Sequence, residues 1–271
     1  MHLRPALLTS LAALAVLAPA AGAVTETAAS GAVSATLSYE HAEDSPEWSD
    51  LQLTVSRDGA PVLASGLASG DCQAPYCGPA GDLAVRGSLV VQDLDGDGEP
   101  EVVVDLFTGG AHCCFLSRFY RWDGARYVAA ERNFADPGYR IDDLDGDGVK
   151  ELVTSDARFG YAFTAFAFSV MPVRIYHLSA GRWTLVTKRF PDRIRADRDA
   201  NWRLFRKAGR QDEPRGAVAA WAADELMLGH RASATRTLDR LARQGRLHGS
   251  FPRSQRKFVH NLLRFLARHG Y

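Results

Sequence analysis

Long apolar runs are missing from nearly all of this chain. Beyond the first two dozen residues nothing approaches the ~18 consecutive apolar residues of a membrane-spanning helix, so the sequence carries no transmembrane segment and reads as soluble. The one apolar run, Ala6 to Leu17, follows Arg4 and precedes the small residues Ala21-Gly22-Ala23. Residues 1–23 therefore read as a signal peptide, with cleavage after Ala20 the alternative and no cysteine behind the site to accept a lipid. Two catalytic signatures are also missing, the Gly-x-Ser-x-Gly elbow and the His-Glu-x-x-His pair, which weighs against an enzyme without excluding one, because catalytic groups can be scattered. Cysteine is scarce, with 4 in 271 residues. An even count in an exported chain argues for two disulfides, with three possible connectivities.

A formal net charge of zero conceals a division. Residues 24–170 hold 24 acidic against 9 basic side chains, a balance of −15, whereas residues 191–271 hold 8 against 18, a balance of +10. A basic region can serve an anionic partner such as cell-wall polymer, phospholipid or nucleic acid. Here the arginines are dispersed around short helical patterns and no aromatic platform interleaves them. They read as a solvated rim that faces the acidic part of the same chain.

What the sequence does contain is one acidic loop written twice. Asp93-Leu94-Asp95-Gly96-Asp97-Gly98-Glu99-Pro100-Glu101 recurs 50 residues later as Asp143-Leu144-Asp145-Gly146-Asp147-Gly148-Val149-Lys150-Glu151. Carboxylates at loop positions 1, 3, 5 and 9 with glycine at 6 suit a hard cation that accepts a flexible oxygen shell, calcium before magnesium. An EF-hand is excluded: its position 12 would be Val104 and Thr154, and the flanks Ser88–Val91, Glu101–Val104 and Glu151–Val153 are β-branched and apolar, as strands are.

Loop spacing followed at once by a strand resembles the calcium loop of FG-GAP/VCBS-type β-propeller repeats, found in integrin α-subunits and in many secreted bacterial proteins. The resemblance implies two calcium sites. In the first, Asp93, Asp95, Asp97 and Glu101 bind through side chains and Glu99 through its carbonyl; in the second, Asp143, Asp145, Asp147 and Glu151 bind through side chains and Val149 through its carbonyl. Thr108-Gly-Gly-Ala-His-Cys-Cys-Phe115 similarly resembles a segment of uncharacterised secreted bacterial proteins that share this loop.

Alternating runs make Val33–Tyr39 a strand, after a low-complexity stretch around Thr25–Gly31. Three hairpins follow, turning at Asp58-Gly59, Asp123-Gly124 and Ala180-Gly181. A period near 50 residues suggests propeller blades at 88–132 and 139–190, with half a blade before them. A closed propeller usually needs ~4 to 8 blades, so the expectation is an incomplete propeller or stacked sheets whose edges are covered. From Pro191 the period turns helical, with four short helices over Asp199–Ala208, Gly216–Leu228, Ser233–Arg243 and Ser254–His269. The fold class expected is mainly β, two or three blade-like antiparallel sheets, plus a small C-terminal α-helical region. The divisions are a signal peptide (1–23), a β-rich part (24–190) and a basic helical part (191–271).

Adjacent strand residues point to opposite faces, so Cys113 and Cys114 do not both meet one upstream loop easily. Cys72–Cys77 with a vicinal Cys113–Cys114 bond avoids this, although neighbouring α-carbons sit ~3.8 Å apart and strain such a bond. The function expected is a secreted calcium-binding module that engages a protein or glycan at or outside the cell envelope. A calcium-dependent hydrolase, or a redox or metal protein centred on His112, Cys113 and Cys114, are the alternatives.

Overall fold

Val102, Val103 and Val104 are all fully buried, which consecutive strand residues achieve only where both faces of their sheet are covered. Their strand is the middle of a layered stack. The computed structural model describes residues 22–41, 45–68, 70–81, 87–112, 114–209, 213–249 and 252–271; the segment up to residue 21, within the stretch read above as a signal peptide, lies outside them.

Three antiparallel sheets follow one another along the chain. The first holds β1 (Gly22–Ser30), β2 (Val33–His41), β3 (Trp48–Arg57) and β4 (Ala60–Gly66) in that order. The second runs β5 (Gly78–Pro79), β7 (Glu101–Phe107), β8 (Phe115–Trp122) and β9 (Tyr127–Ala135), with β6 (Leu89–Gln92) also paired to β7. The third is β10 (Arg140–Asp142), β11 (Glu151–Ser155), β12 (Val173–Ser179) and β13 (Arg182–Leu185). The hairpin residues Asp58 and Gly59 have φ of 48° and 79°, and Ala180 and Gly181 have 49° and 72°, the paired positive values that a two-residue turn matched to strand twist requires.

Alternation sorts side chains between layers. Val102 and Val104 join Leu37, Leu53 and Val55 in a core between the first and second sheets. Val103 points the other way and meets Phe119, Leu152 and Leu178 between the second and third. Val153 and Ile175, on the far face of the third sheet, meet Val186 and Phe190, where the helices begin. At the opposite end the cross-strand pairs Ser34–Ser56, Thr36–Thr54 and Ser38–Gln52 make the outer face of the first sheet polar, which lets the stack stop there.

The half-blade expected at the N-terminus is thus a full four-stranded sheet. Its missing strand was the stretch around Thr25–Gly31, which is β1, paired with β2 from Gly22–His41 to Ser30–Val33. Being a largely exposed edge, it lacks the apolar alternation that marks a strand.

Four helices complete the chain: α1 (Pro191–Lys207), α2 (Arg215–Met227), α3 (Arg231–Arg243) and α4 (Gln255–Arg268). α1 begins eight residues before the Asp199 start expected from the sequence, because Pro191 supplies the fixed φ of a first turn. Ser254 caps α4 by accepting the Lys257 N–H. α2 is buried almost all round, as a central core helix must be. Trp202 and Trp221 meet each other at 4.8 Å inside the helical core. The junction is made by the β11–β12 connection, which sends Phe159, Phe163 and Met171 into that core. Among the described residues no helix is long and apolar enough to cross a membrane.

Candidate metal centre

The first acidic loop, 93–101, is folded by its own carboxylates. Asp93 accepts the N–H groups of Gly96 and Gly98 at 2.8 and 2.9 Å, and Asp97 accepts that of Glu99 at 2.8 Å. Glycines at φ 76° and 87° allow the chain to coil this tightly. Leu94, fully buried between the second and third sheets, anchors the loop from beneath.

That folding brings oxygens of Asp93, Asp95 and Glu101 within 4.8 Å of one another. Glu101 is 1% exposed. One of its oxygens accepts the Leu94 N–H at 2.9 Å; the other, Oε1, makes no hydrogen bond, and neither does the buried Oδ1 of Asp95. Unpartnered buried carboxylate oxygens are costly, and two that converge are costlier still. Burial pushes the Glu101 carboxyl up to about 8, with the charges of Asp95, Asp97 and Asp93 adding to the effect and the Leu94 N–H opposing it. A divalent cation would satisfy both oxygens and remove the repulsion, and the all-oxygen donor set is that of a hard ion.

The same loop touches all three sheets. Arg57 at the end of β3 makes a two-pronged pair with Glu99 and lies 4.7 Å from the Trp122 ring; hydrogen bonding to Arg57 holds the Glu99 carboxyl below its ordinary range. Asp95 Oδ2 accepts the N–H of Ala180 in the β12–β13 turn at 3.2 Å, and the Leu94 carbonyl accepts that of Lys150 at 2.8 Å.

The second loop, 143–151, repeats the backbone pattern. Asp143 accepts from Gly146 and Gly148, Asp147 from Val149, and Glu151 from Leu144. Oxygens of Asp143, Asp145 and Glu151 again converge within 4.8 Å. Here protein donors occupy the carboxylates: Lys150 Nζ lies 2.9 Å from Asp143, and His177 Nε2 lies 2.6 Å from Glu151 Oε1. Hydrogen bonding to Lys150 lowers the Asp143 pKa. Asp145 is exposed where its counterpart Asp95 is half-buried.

Both clusters thus hold loop positions 1, 3 and 9, while Asp97 and Asp147 serve their own turns. Four contributors were missed from sequence: Arg57, Ala180, Lys150 and His177. Lys150 was visible in the motif, standing where the first loop has Pro100. The others come from distant strands and leave no local signal.

Away from the loops, Cys72–Cys77 forms a disulfide with an S–S distance of 2.02 Å. Cys114 is disulfide-bonded too, and the expected bond to Cys113 lies outside the described residues. His112 stacks 3.7 Å from Phe166 and meets Tyr161 edge-on at 5.9 Å.

No family model matches the chain, and no solved structure does. It is 28% identical over 210 residues, 68% of its length, to "Uncharacterized protein y4bJ" of Sinorhizobium fredii, covering 33% of that protein. It is 29% identical over 150 residues, 52% of its length, to "Probable thylakoid lumen protein sll0997" of Synechocystis, covering 44% of that one. The chain therefore spans less than half the length of the curated relatives it matches.

Proposed function

We propose that this chain is an extracytoplasmic calcium-loop protein of the FG-GAP/VCBS kind, in which a cation held by loop 93–101 fastens three blade-like sheets into a rigid interaction module. The observation that carries the reading is the convergence of two buried, unpartnered carboxylate oxygens, Asp95 Oδ1 and Glu101 Oε1, beside Asp93. Loop 143–151 is the second and weaker calcium site, since Lys150 and His177 already compensate its carboxylates.

The position of the first loop supports the structural role, because its residues contact the first sheet through Arg57 and the third through Ala180 and Lys150. The relative described as a thylakoid lumen protein supports a location beyond the cytoplasm. A protein or glycan partner has a hydroxyl-lined surface available in the Ser, Thr and Gln side chains of the first sheet's outer face.

Calorimetric titration of calcium into chelator-treated protein tests the proposal. One tight site and one weaker site are expected. Heats indistinguishable from buffer, or binding that Asp95→Ala leaves intact, would overturn it.

A further inference from the structure

A second site lies where the edge of the second sheet, the third sheet and the end of α4 meet. A cavity of about 460 Å³ there is lined by Arg132, Asn133, Arg158, Arg174, Tyr176 and Leu185, with Asp156 and His269 also on its wall. Three guanidinium groups and one carboxylate on a single cavity wall make a local excess of positive charge in a chain whose formal net charge is zero.

Asp156 is spoken for. It accepts from Arg158, from Arg174 at 2.9 Å and from the Tyr271 hydroxyl at 2.7 Å. Arg158 is engaged as well, because its other terminal nitrogen lies 2.9 Å from His269 Nδ1. An arginine only donates, so that ring nitrogen accepts and His269 is neutral; burial and the nearby Arg158 charge both push its pKa down. The cavity wall therefore carries three positive charges and one negative, an excess of two.

Arg132 is held differently. Its guanidinium carbon lies 3.8 Å from the Tyr176 ring centre, 5.1 Å from that of Trp183 and 5.5 Å from that of Phe134. Its Nε is buried and makes no hydrogen bond, and among the described residues no carboxylate pairs with it. Three aromatic rings thus fix a planar fork at the cavity without neutralising it. Arg174 sits two residues before Tyr176 on β12, so both project from the same face. Leu185, directly opposite Tyr176 on β13 and 48% exposed, forms the mouth.

We infer that this cavity binds a dianionic tetrahedral oxyanion, the phosphate group of a small solute, with Arg132 as its principal donor. An excess of two positive charges matches a dianion better than a monocarboxylate, and a rigid guanidinium fork suits two phosphate oxygens at once.

The test is calorimetric titration of the full chain with glycerol 2-phosphate, inorganic sulfate and acetate. The expected result is saturable binding of the phosphate ester at ~1 mM or tighter, with acetate at least about tenfold weaker. Sulfate as tight as the ester would identify a free inorganic oxyanion as the ligand; a tighter ester would identify a phosphorylated solute. Arg132→Gln should weaken binding about tenfold or more. Leu185→Glu, which places a negative charge at the exposed mouth and leaves the core untouched, should do the same while the melting temperature stays within ~2 °C. Absence of saturation by ~20 mM ester, acetate binding as tightly as the dianions, or full affinity in folded Leu185→Glu would each overturn the assignment.

Discussion

Loops 93–101 and 143–151 share their carboxylates at positions 1, 3, 5 and 9, their glycines and their turn hydrogen bonds, yet differ in what faces the innermost glutamate. Glu101 Oε1 meets no donor, whereas Glu151 Oε1 meets His177 at 2.6 Å. Among the described residues Asp93 has only backbone partners, whereas Asp143 also has Lys150. One loop leaves buried carboxylate oxygens without a donor, and the other meets its own with side-chain donors. Identical carboxylate spacing therefore does not imply identical surroundings, because the residues that answer the second loop's carboxylates stand at a different position of the repeat, as Lys150 does, or outside it, as His177 does.

The largest consequence concerns stability. An ion at ~1,000 times its dissociation constant adds about 4 kcal/mol to a site it binds only in the folded state. Asp95→Ala or chelation should remove that contribution, lowering the melting temperature by roughly 10 °C in a chain of this size. Asp145→Ala should cost less than half as much, since Lys150 and His177 persist. Thermal denaturation with and without chelator makes the comparison; equal losses from the two alanine variants would break it.

A smaller effect separates the loops by pH in the chelated protein. Glu101 has its folded pKa raised to about 8, so between its ordinary value and about 8 the folded chain holds a proton that the unfolded chain has lost. Stability should then fall as pH rises through that window, by about 1 kcal/mol per pH unit. Glu101→Gln should flatten the slope. Saturating calcium should flatten it too, because the ion holds the carboxylate ionised in the folded chain, as it already is in the unfolded one across that window. Urea unfolding at several pH values, with chelator or with calcium, reads both slopes. A chelated wild-type protein whose stability rises across the window would refute the account of Glu101.

The difference can also be erased. Lys150→Gln with His177→Leu leaves Asp143 and Glu151 with the partners that Asp93 and Glu101 have. Calcium affinity at the second loop should rise about tenfold, roughly 1.4 kcal/mol. Calorimetry that found two tight sites in this double variant would sharpen the comparison, and an unchanged weak site would show that the exposure of Asp145 sets the affinity.

Much of this was legible in sequence because the controlling interactions were local. The acidic loops advertise themselves through Asp and Gly spacing, the hairpins through Asp58-Gly59 and Ala180-Gly181, and α4 through Ser254 and the Phe258–Leu262–Leu266 face. β1 escaped because a mostly exposed edge strand rich in Ala and Thr has no apolar rhythm to detect. His177 escaped for another reason: it reaches Glu151 only through β11–β12 register, 26 residues apart in sequence. The number of sheets depends on which outer face is polar, and that becomes visible only once Ser34, Thr36, Gln52 and Thr54 are known to share one face.

The smallest effect tests the loop position on which resemblance and geometry part. The family pattern makes Asp97 and Asp147 ligands, but each gives Oδ1 to a backbone N–H two residues on and neither belongs to the converging trio. Asparagine keeps that acceptor and removes only a charge at some distance from the site. Asp97→Asn should therefore change calcium affinity by about threefold or less, no more than roughly 0.6 kcal/mol. Asp97→Ala should cost about 1 kcal/mol of stability, with or without calcium, because the turn loses its hydrogen bond. Titration of both variants separates the roles: a loss of tenfold or more in Asp97→Asn would make Asp97 a ligand, drawn inward when the ion binds. In the second loop Asp147→Asn should matter less still, since Lys150 already offsets the local charge.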